Sequence, residues 1–248
     1  PLVDYYIKSS YNSCCAGNFY NSYVTLKALE VVINQGARLL DFQIYSINGE
    51  PVVGVSALPL SSLKGSYNYL NINDVFSIIN DKAFTCSNGE DPLFLNFRIY
   101  SNKKEIYPKL ASAIAEFFGN KLLSPAYGKE GISGEIYDGS LTTKNMCLEP
   151  LSIFKKKVII MAHHETLNFK NPKNDFYQLV NLTDTSQGFS YKRFNKIKNT
   201  SDITSLKNTN KKVITCVMPD WSLLTDNYNT LINFNSGCQM NLMNYQNL

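Results

Sequence analysis

The chain carries only two histidines, and they are adjacent: His163 and His164, followed by Glu165. Imidazole is the side chain best suited to moving protons near neutral pH and a common metal ligand. The triplet follows directly on the apolar run at residues 158–162. On extended chain, successive side chains point to opposite faces, so at most His163 and Glu165 share one. Two ligands make a poor metal site, and two adjacent histidines do not supply a Ser/His/Asp triad. The triplet therefore reads either as a new acid–base or metal site or, more plainly, as a hydrogen-bonded or surface pair. The six cysteines, Cys14, Cys15, Cys86, Cys147, Cys216 and Cys238, contain no C-x-x-C and no His/Cys metal spacing. Cys14 and Cys15 are poorly placed to bond each other. Cys216 and Cys238 lie in apolar strand-like runs, where a buried thiol is the default, so a reducing, intracellular compartment is expected. No G-x-G-x-x-G follows a strand and no P-loop occurs.

The elements that must position such residues are those of an α/β domain, because apolar runs alternate with amphipathic stretches. At 248 residues, with 44% hydrophobic and 12% aromatic side chains, the chain can bury a sizeable core. Strands are predicted at residues 5–9, 38–45, 52–55, 93–100, 158–162, 177–182, 213–218 and 238–245. Helices are predicted at 24–34, ended by Gly36, at about 71–82, capped by Asn71 or Asn73, and at 104–118, closed by Gly119. Asn48-Gly49 marks a hairpin turn. Residues 124–149 read as a long surface loop and 168–175 as a linker. No run of 18 apolar residues exists, so no transmembrane helix is expected. The chain begins at Pro1, as a processed chain or a portion would, with no charged n-region leading an apolar h-region. The net charge of +4 is mild. Basic clusters at Lys155–Lys157 and between Lys192 and Lys212 read first as solvated surface and second as an anionic-lipid patch. No nucleic-acid motif is present, and no nucleic-acid partner is expected. The single tryptophan, Trp221, follows Met218-Pro219-Asp220 and is placed either at a rim or, more plainly, in packing.

Several short motifs occur in a telling order: Ser9-Ser10-Tyr11-Asn12, Gly36-Ala37-Arg38-Leu39-Leu40-Asp41, Asn48-Gly49-Glu50-Pro51-Val52-Val53, Asp91-Pro92-Leu93-Phe94-Leu95 and Lys156-Lys157-Val158-Ile159-Ile160. In that order and spacing the chain resembles the X region of the phosphatidylinositol-specific phospholipase C catalytic domain. Asn235-Ser236-Gly237-Cys238-Gln239-Met240 and Leu242-Met243-Asn244-Tyr245-Gln246 resemble its Y region. The resemblance implies a distorted TIM-type (β/α)8 barrel, with an X-like half at 1–164, a short linker at 165–176 and a Y-like half at 177–248.

The resemblance also implies a calcium-assisted attack of an inositol hydroxyl on a phosphodiester, with two histidines as acid and base. The first histidine position holds Tyr11, whose phenol has a reference pKa of about 10. The second holds Val55, and Ser56, Ala57 and Leu58 beside it offer no base. Asn12 matches the family's asparagine ligand. Asp41 stands for a glutamate, Gln43 for an aspartate and Arg98 for a second glutamate. Three carboxylates thus become one carboxylate and one guanidinium, with zero net charge, where calcium requires anionic oxygens. Arg98 either pairs with Asp41 across the barrel mouth, filling the site with an ion pair, or leaves it unfilled. The phosphate-holding lysines fall at Met161 and His163, and the arginine and tyrosine at Cys216 and Met218. Ser190 keeps the family's serine. The expectation is a catalytically inactive pseudoenzyme, needing no calcium, with a structural or binding role. Its expected setting is among protein partners in a larger assembly such as a large-virus particle. Two other readings stand: a phosphoric diester hydrolase of altered mechanism, working through Tyr11, Asp41, His163 or Glu165, and a non-catalytic module on an anionic membrane surface.

Overall fold

The computed structural model describes residues 1–57, 64–124, 127, 145–163 and 174–247. In chain order the elements are β1 (Ile7–Ser10), α1 (Leu26–Asn34), β2 (Leu39–Ile47), β3 (Glu50–Gly54), β4 (Leu70–Asn71), α2 (Ile72–Lys82), β5 (Leu93–Ile99), α3 (Ile106–Phe118) and β6 (Val158–His163). They continue as α4 (Asp175–Leu179), β7 (Leu182–Thr183), β8 (Phe189–Arg193), α5 (Phe194–Lys198), α6 (Ile203–Asn210), β9 (Ile214–Met218), α7 (Thr230–Asn235) and β10 (Met240–Met243).

Eight strands run parallel in the order β7-β6-β5-β2-β1-β10-β9-β8, a nearly closed barrel of TIM type whose one open seam lies between β7 and β8. The seam follows from length: β7 is only two residues long. Strand β1 pairs with β10, so residues near the two ends of the chain close the opposite side. Strand β3 turns back antiparallel on β2, and β4 pairs with β3. The β2–β3 turn is Asn48-Gly49, with φ of +52° and +77°, the left-handed pair that a two-residue hairpin requires.

Alternation along the strands separates two environments. On β2 and β5, Phe42 and Phe97 stack at 6.0 Å, and Phe97 meets Phe76 of α2 and Phe176 of α4 edge-on. Their neighbours Asp41, Asn96 and Arg98 point the other way, into the barrel. Helices α1, α2 and α3 cover the outer face with Leu29, Val32, Ile33, Val75, Phe76, Ile79, Leu110 and Ile114, all almost fully buried.

Four expectations change. The helix expected from residue 24 starts at Leu26, because Thr25 is its N-cap: its side chain accepts the Ala28 N–H while Val24 bridges to Cys15. The first half of the strand expected at 177–182 belongs to helix α4, because the Asn174 side chain accepts the N–H groups of Phe176 and Tyr177 and nucleates a turn. The same helix takes up the last residue of the expected 168–175 linker; residues 168–173 lie outside the described part. Strand β8 was not anticipated. Most of the 124–149 loop also lies outside the described residues, and Met146–Leu148 forms a 3-10 turn.

Candidate functional site

Strand register builds the site. Asp41 pairs with Asn96 and Gln43 with Arg98 across β2 and β5, and Asn96 and Arg98 pair with Met161 and His163 of β6. At the end of β1 the chain continues into Tyr11 and Asn12, and Asn12 turns with a left-handed φ of +46°. Asparagine tolerates that conformation better than most residues. Tyr11, Asn12, Asp41, Asn96 and Arg98 thereby converge inside the barrel toward the C-terminal ends of its strands.

At their centre, Arg98 and Asp41 form an ion pair with neither side chain exposed. It is bidentate: Arg98 Nε donates to Asp41 Oδ1 at 2.9 Å and Nη2 to Oδ2 at 2.5 Å. The remaining guanidinium protons are also placed. Nη2 donates to Asn12 Oδ1 at 2.5 Å, and Nη1 donates to Tyr11 Oη at 3.0 Å and to Tyr100 Oη at 3.4 Å. A guanidinium has five N–H donors, and all five have acceptors here. The guanidinium also lies over the Tyr11 ring, 4.4 Å from its centroid. Burial works against the charge on Arg98, but the facing Asp41 outweighs it and holds the arginine well above its usual pKa. Asp41 is equally engaged, because it also accepts the Asn12 N–H at 2.9 Å and Asn96 Nδ2 at 2.7 Å. Of the two outcomes open in the sequence, the ion pair is the one that forms.

Gln43 is spent on structure. Its Oε1 accepts the Tyr45 hydroxyl at 2.6 Å and the Ser56 N–H at 2.8 Å, and its Nε2 donates to the Ser56 carbonyl at 3.0 Å. It thereby pins the segment bearing Val55, which packs in the hydrophobic core at 1% exposure. Met161, Cys216 and Met218 are buried on strands β6 and β9. Cys216 pairs in register with Tyr191 of β8, and burial raises its thiol pKa well above the usual value. Tyr191 reaches inward and donates its hydroxyl to Asn96 Oδ1 at 2.5 Å. Ser190 precedes it and so faces the opposite side of the strand; the structure does not bring it into the cluster. His163 packs edge-on against Tyr191 at 4.7 Å, whereas His164 and Glu165 lie outside the described residues. The sequence reading missed Asn96, Tyr100 and Tyr191. Asn96 and Arg98 on β5 and Tyr100 just after it follow each other at intervals of two, and that spacing was a usable signal.

The residues at the calcium positions do not fit a calcium ion. Calcium takes six to eight oxygen ligands with free lone pairs and anionic charge. Here the one carboxylate already accepts four hydrogen bonds, two of them from a cation. The asparagine and glutamine oxygens are also taken. Among the described residues, no group of three His, Cys, Asp or Glu side chains could hold a metal.

The family model for the X domain of phosphatidylinositol-specific phospholipase C matches residues 1–164. The chain belongs to that family. Solved structures similar to this X-domain chain include L. pealei PLC21, with 21% identity and a TM-score of 0.73, and S. officinalis PLC21, with 21% and 0.75. In both cases 99% of this chain is covered and 34% of the other, so the chain spans about a third of their length. A calcium-dependent phosphatidylinositol-specific phospholipase C from Streptomyces antibioticus matches at 10% identity and a TM-score of 0.59, covering 100% of this chain and 95% of that one. Comparison with curated proteins gives no match. The structural likenesses establish the barrel fold.

In this X-domain barrel His163 carries a pH signature. Burial, helped by the charges of Arg98 and Arg193, pushes its pKa down to about 4, against the opposing pull of Asp184 and Asp41. An unfolded histidine titrates near 6.5. Between those values the unfolded chain binds the extra proton, so stability rises with pH. The contribution is fully present above about pH 6.5 and is lost as the pH falls toward 4. The ring is partly exposed, which trims the effect to roughly 1–3 kcal/mol. Denaturant titrations at pH 7 and pH 4.5 will show this loss, and His163→Asn will shrink it. An unchanged pH slope in the variant would remove His163 as its source.

Proposed function

We propose that this chain is a phosphatidylinositol phospholipase C-like pseudoenzyme: it keeps the catalytic-domain barrel but does not cleave phosphoinositides, and it serves as a binding or structural component among protein partners in a larger assembly. The observation that carries this reading is the buried Arg98 guanidinium, whose five donors are spent on Asp41, Asn12, Tyr11 and Tyr100. A side chain satisfied in this way is poorly placed to release Asp41 for a metal or to grip a phosphate. Tyr11 and Val55 at the two histidine positions remove the acid and base, and loss of one such group typically costs on the order of 10²–10⁴ in rate. These losses do not add simply, but all act in one direction. The test is release of water-soluble inositol phosphate from phosphatidylinositol vesicles, with calcium or with chelator. The proposal expects none above the protein-free background in either condition. Release that needs calcium would overturn it; release that persists in chelator would favour a hydrolase of altered mechanism.

A second reading rests on the rim. After the C-terminal end of β9, Trp221, Leu223 and Leu224 are 43%, 61% and 65% exposed within four residues of one loop. Arg193 lies 3.6 Å from the Trp221 ring centroid, and Lys196 and Lys198 follow on α5. An apolar edge beside basic residues suits an anionic membrane surface. In co-sedimentation with phosphatidylserine-containing vesicles, replacing Trp221, Leu223 and Leu224 together by serine will reduce binding several-fold. Equal binding by the variant, or none by the parent, sinks this reading.

A further inference from the structure

We propose that the outer face of α5 and α6 docks an acidic polypeptide segment of a partner protein. The inference gives the binding role proposed above a partner chemistry and rests on that reading. Residues 192–212 hold seven basic side chains and one acidic one. That is a net +6 in a chain whose total is +4, so the other residues together carry −2. The fold turns this run into a surface. Ile197 of α5 and Leu206 of α6 pack in one cluster with Val217 of β9 and Cys238, so both helices are fixed against the same apolar patch. Lys196 and Lys198 flank Ile197, Lys207 follows Leu206, and Lys211 and Lys212 follow α6; all five are exposed. None of the five forms an ion pair with a described residue. The carboxylates nearby are spent on the backbone. Asp202 caps α6 by accepting the Ser205 N–H at 2.8 Å, and Asp220 accepts the Asn195 N–H at 3.1 Å. A strip of like charges without counter-ions attracts an anionic partner.

Three observations favour a polypeptide over other polyanions. The strip runs along the barrel: Arg193 ends β8 at the C-terminal rim, whereas Lys211 and Lys212 precede β9 at the opposite end. The five residues of β9 set those ends roughly 16 Å apart. A flat bilayer resting on the rim meets only the upper end, while an extended acidic chain can follow the whole length. Phe194, the one aromatic residue of the segment, is stacked on Tyr228 with ring centroids 4.7 Å apart. The segment therefore presents no free platform on which nucleic-acid bases would stack. Beside α6, a shallow groove lined by Thr204, Asn208, Thr209 and Lys212 presents hydroxyl and amide groups, which suit the donors and acceptors of a peptide backbone. Its one carboxylate, Asp202, is the cap already described.

Inositol phosphate release tests the loss of catalysis and peptide binding tests this face, so the two readings fail separately. The experiment is a titration of the purified chain into a fluorescein-labelled peptide of about ten glutamates, which spans roughly 33 Å when extended, followed by anisotropy. The proposal expects saturable binding that weakens as salt is added. Lys198→Glu with Lys207→Glu will weaken it about ten-fold or more. Lys103→Glu with Lys104→Glu makes an equal change of net charge at exposed positions just before α3, and will alter binding by less than about two-fold. Absence of saturable binding or equal weakening by the two variants would overturn the proposal. So would tighter binding, through Lys198 and Lys207, of single-stranded DNA or of phosphatidylserine vesicles.

Discussion

Replacing Arg98 by methionine will destabilise the chain by about 3–5 kcal/mol, the range found when one partner of a buried ion pair is removed. Methionine keeps much of the length and fills part of the volume, so the loss reports the charge and its hydrogen bonds rather than a cavity. Asp41 would be left as a buried carboxylate with only the Asn12 and Asn96 donors. Asn12 Oδ1 and the Tyr11 and Tyr100 hydroxyls would lose a donor at the same time. Against a typical total of 5–15 kcal/mol, such a loss is close to the margin of folding. Removing both charges as Asp41→Leu with Arg98→Met will cost less than the sum of the two single changes, because no isolated charge remains. Denaturant midpoints for the four proteins of this cycle measure the coupling. A single-variant loss under about 1 kcal/mol would mean that the pair is not what holds this end of the barrel together.

The second large effect is a gain. The double change Gln43→Asp with Arg98→Glu adds two carboxylates on β2 and β5 to that of Asp41. Without metal, three like charges in a buried site repel, and the variant will be less stable than the parent. With calcium, the same oxygens become ligands. At a free concentration 100 times the dissociation constant, binding adds about 2.7 kcal/mol, which for a chain of this size is a rise of roughly 5–10 °C in Tm. The parent will show no such rise. A folded double variant whose Tm ignores calcium would show that more than charge separates this site from a metal centre.

Much of the barrel was legible because its strands are strongly apolar and its helices strongly periodic. The runs at Leu39–Ile47, Leu93–Ile99 and Val158–His163 announce strands buried on both faces, and the Asn48-Gly49 turn announces its hairpin. The later part of the chain was harder. Strand β7 has two residues and β8 has five, two of them basic, too short and too polar for periodicity to register. Helix α4 is nucleated by one asparagine side chain, a local signal outweighed in the sequence by its aromatic residues.

At the site, the residue types at Tyr11, Asp41, Gln43, Val55 and Arg98 were legible from motif order, but their contacts were not. Arg98 and Asp41 are 57 residues apart, and only the register of β2 against β5 brings them together. Tyr191 completes the cluster from 95 residues beyond Asn96, on the strand that the sequence hid.

Under the proposed function, the Arg98 guanidinium stands where the family resemblance implies a calcium ion. Calorimetric titration of calcium into the purified parent chain tests it most directly. No saturable heat in excess of dilution is predicted. Saturable binding of about one calcium per chain, lost on Asp41→Asn, would contradict it.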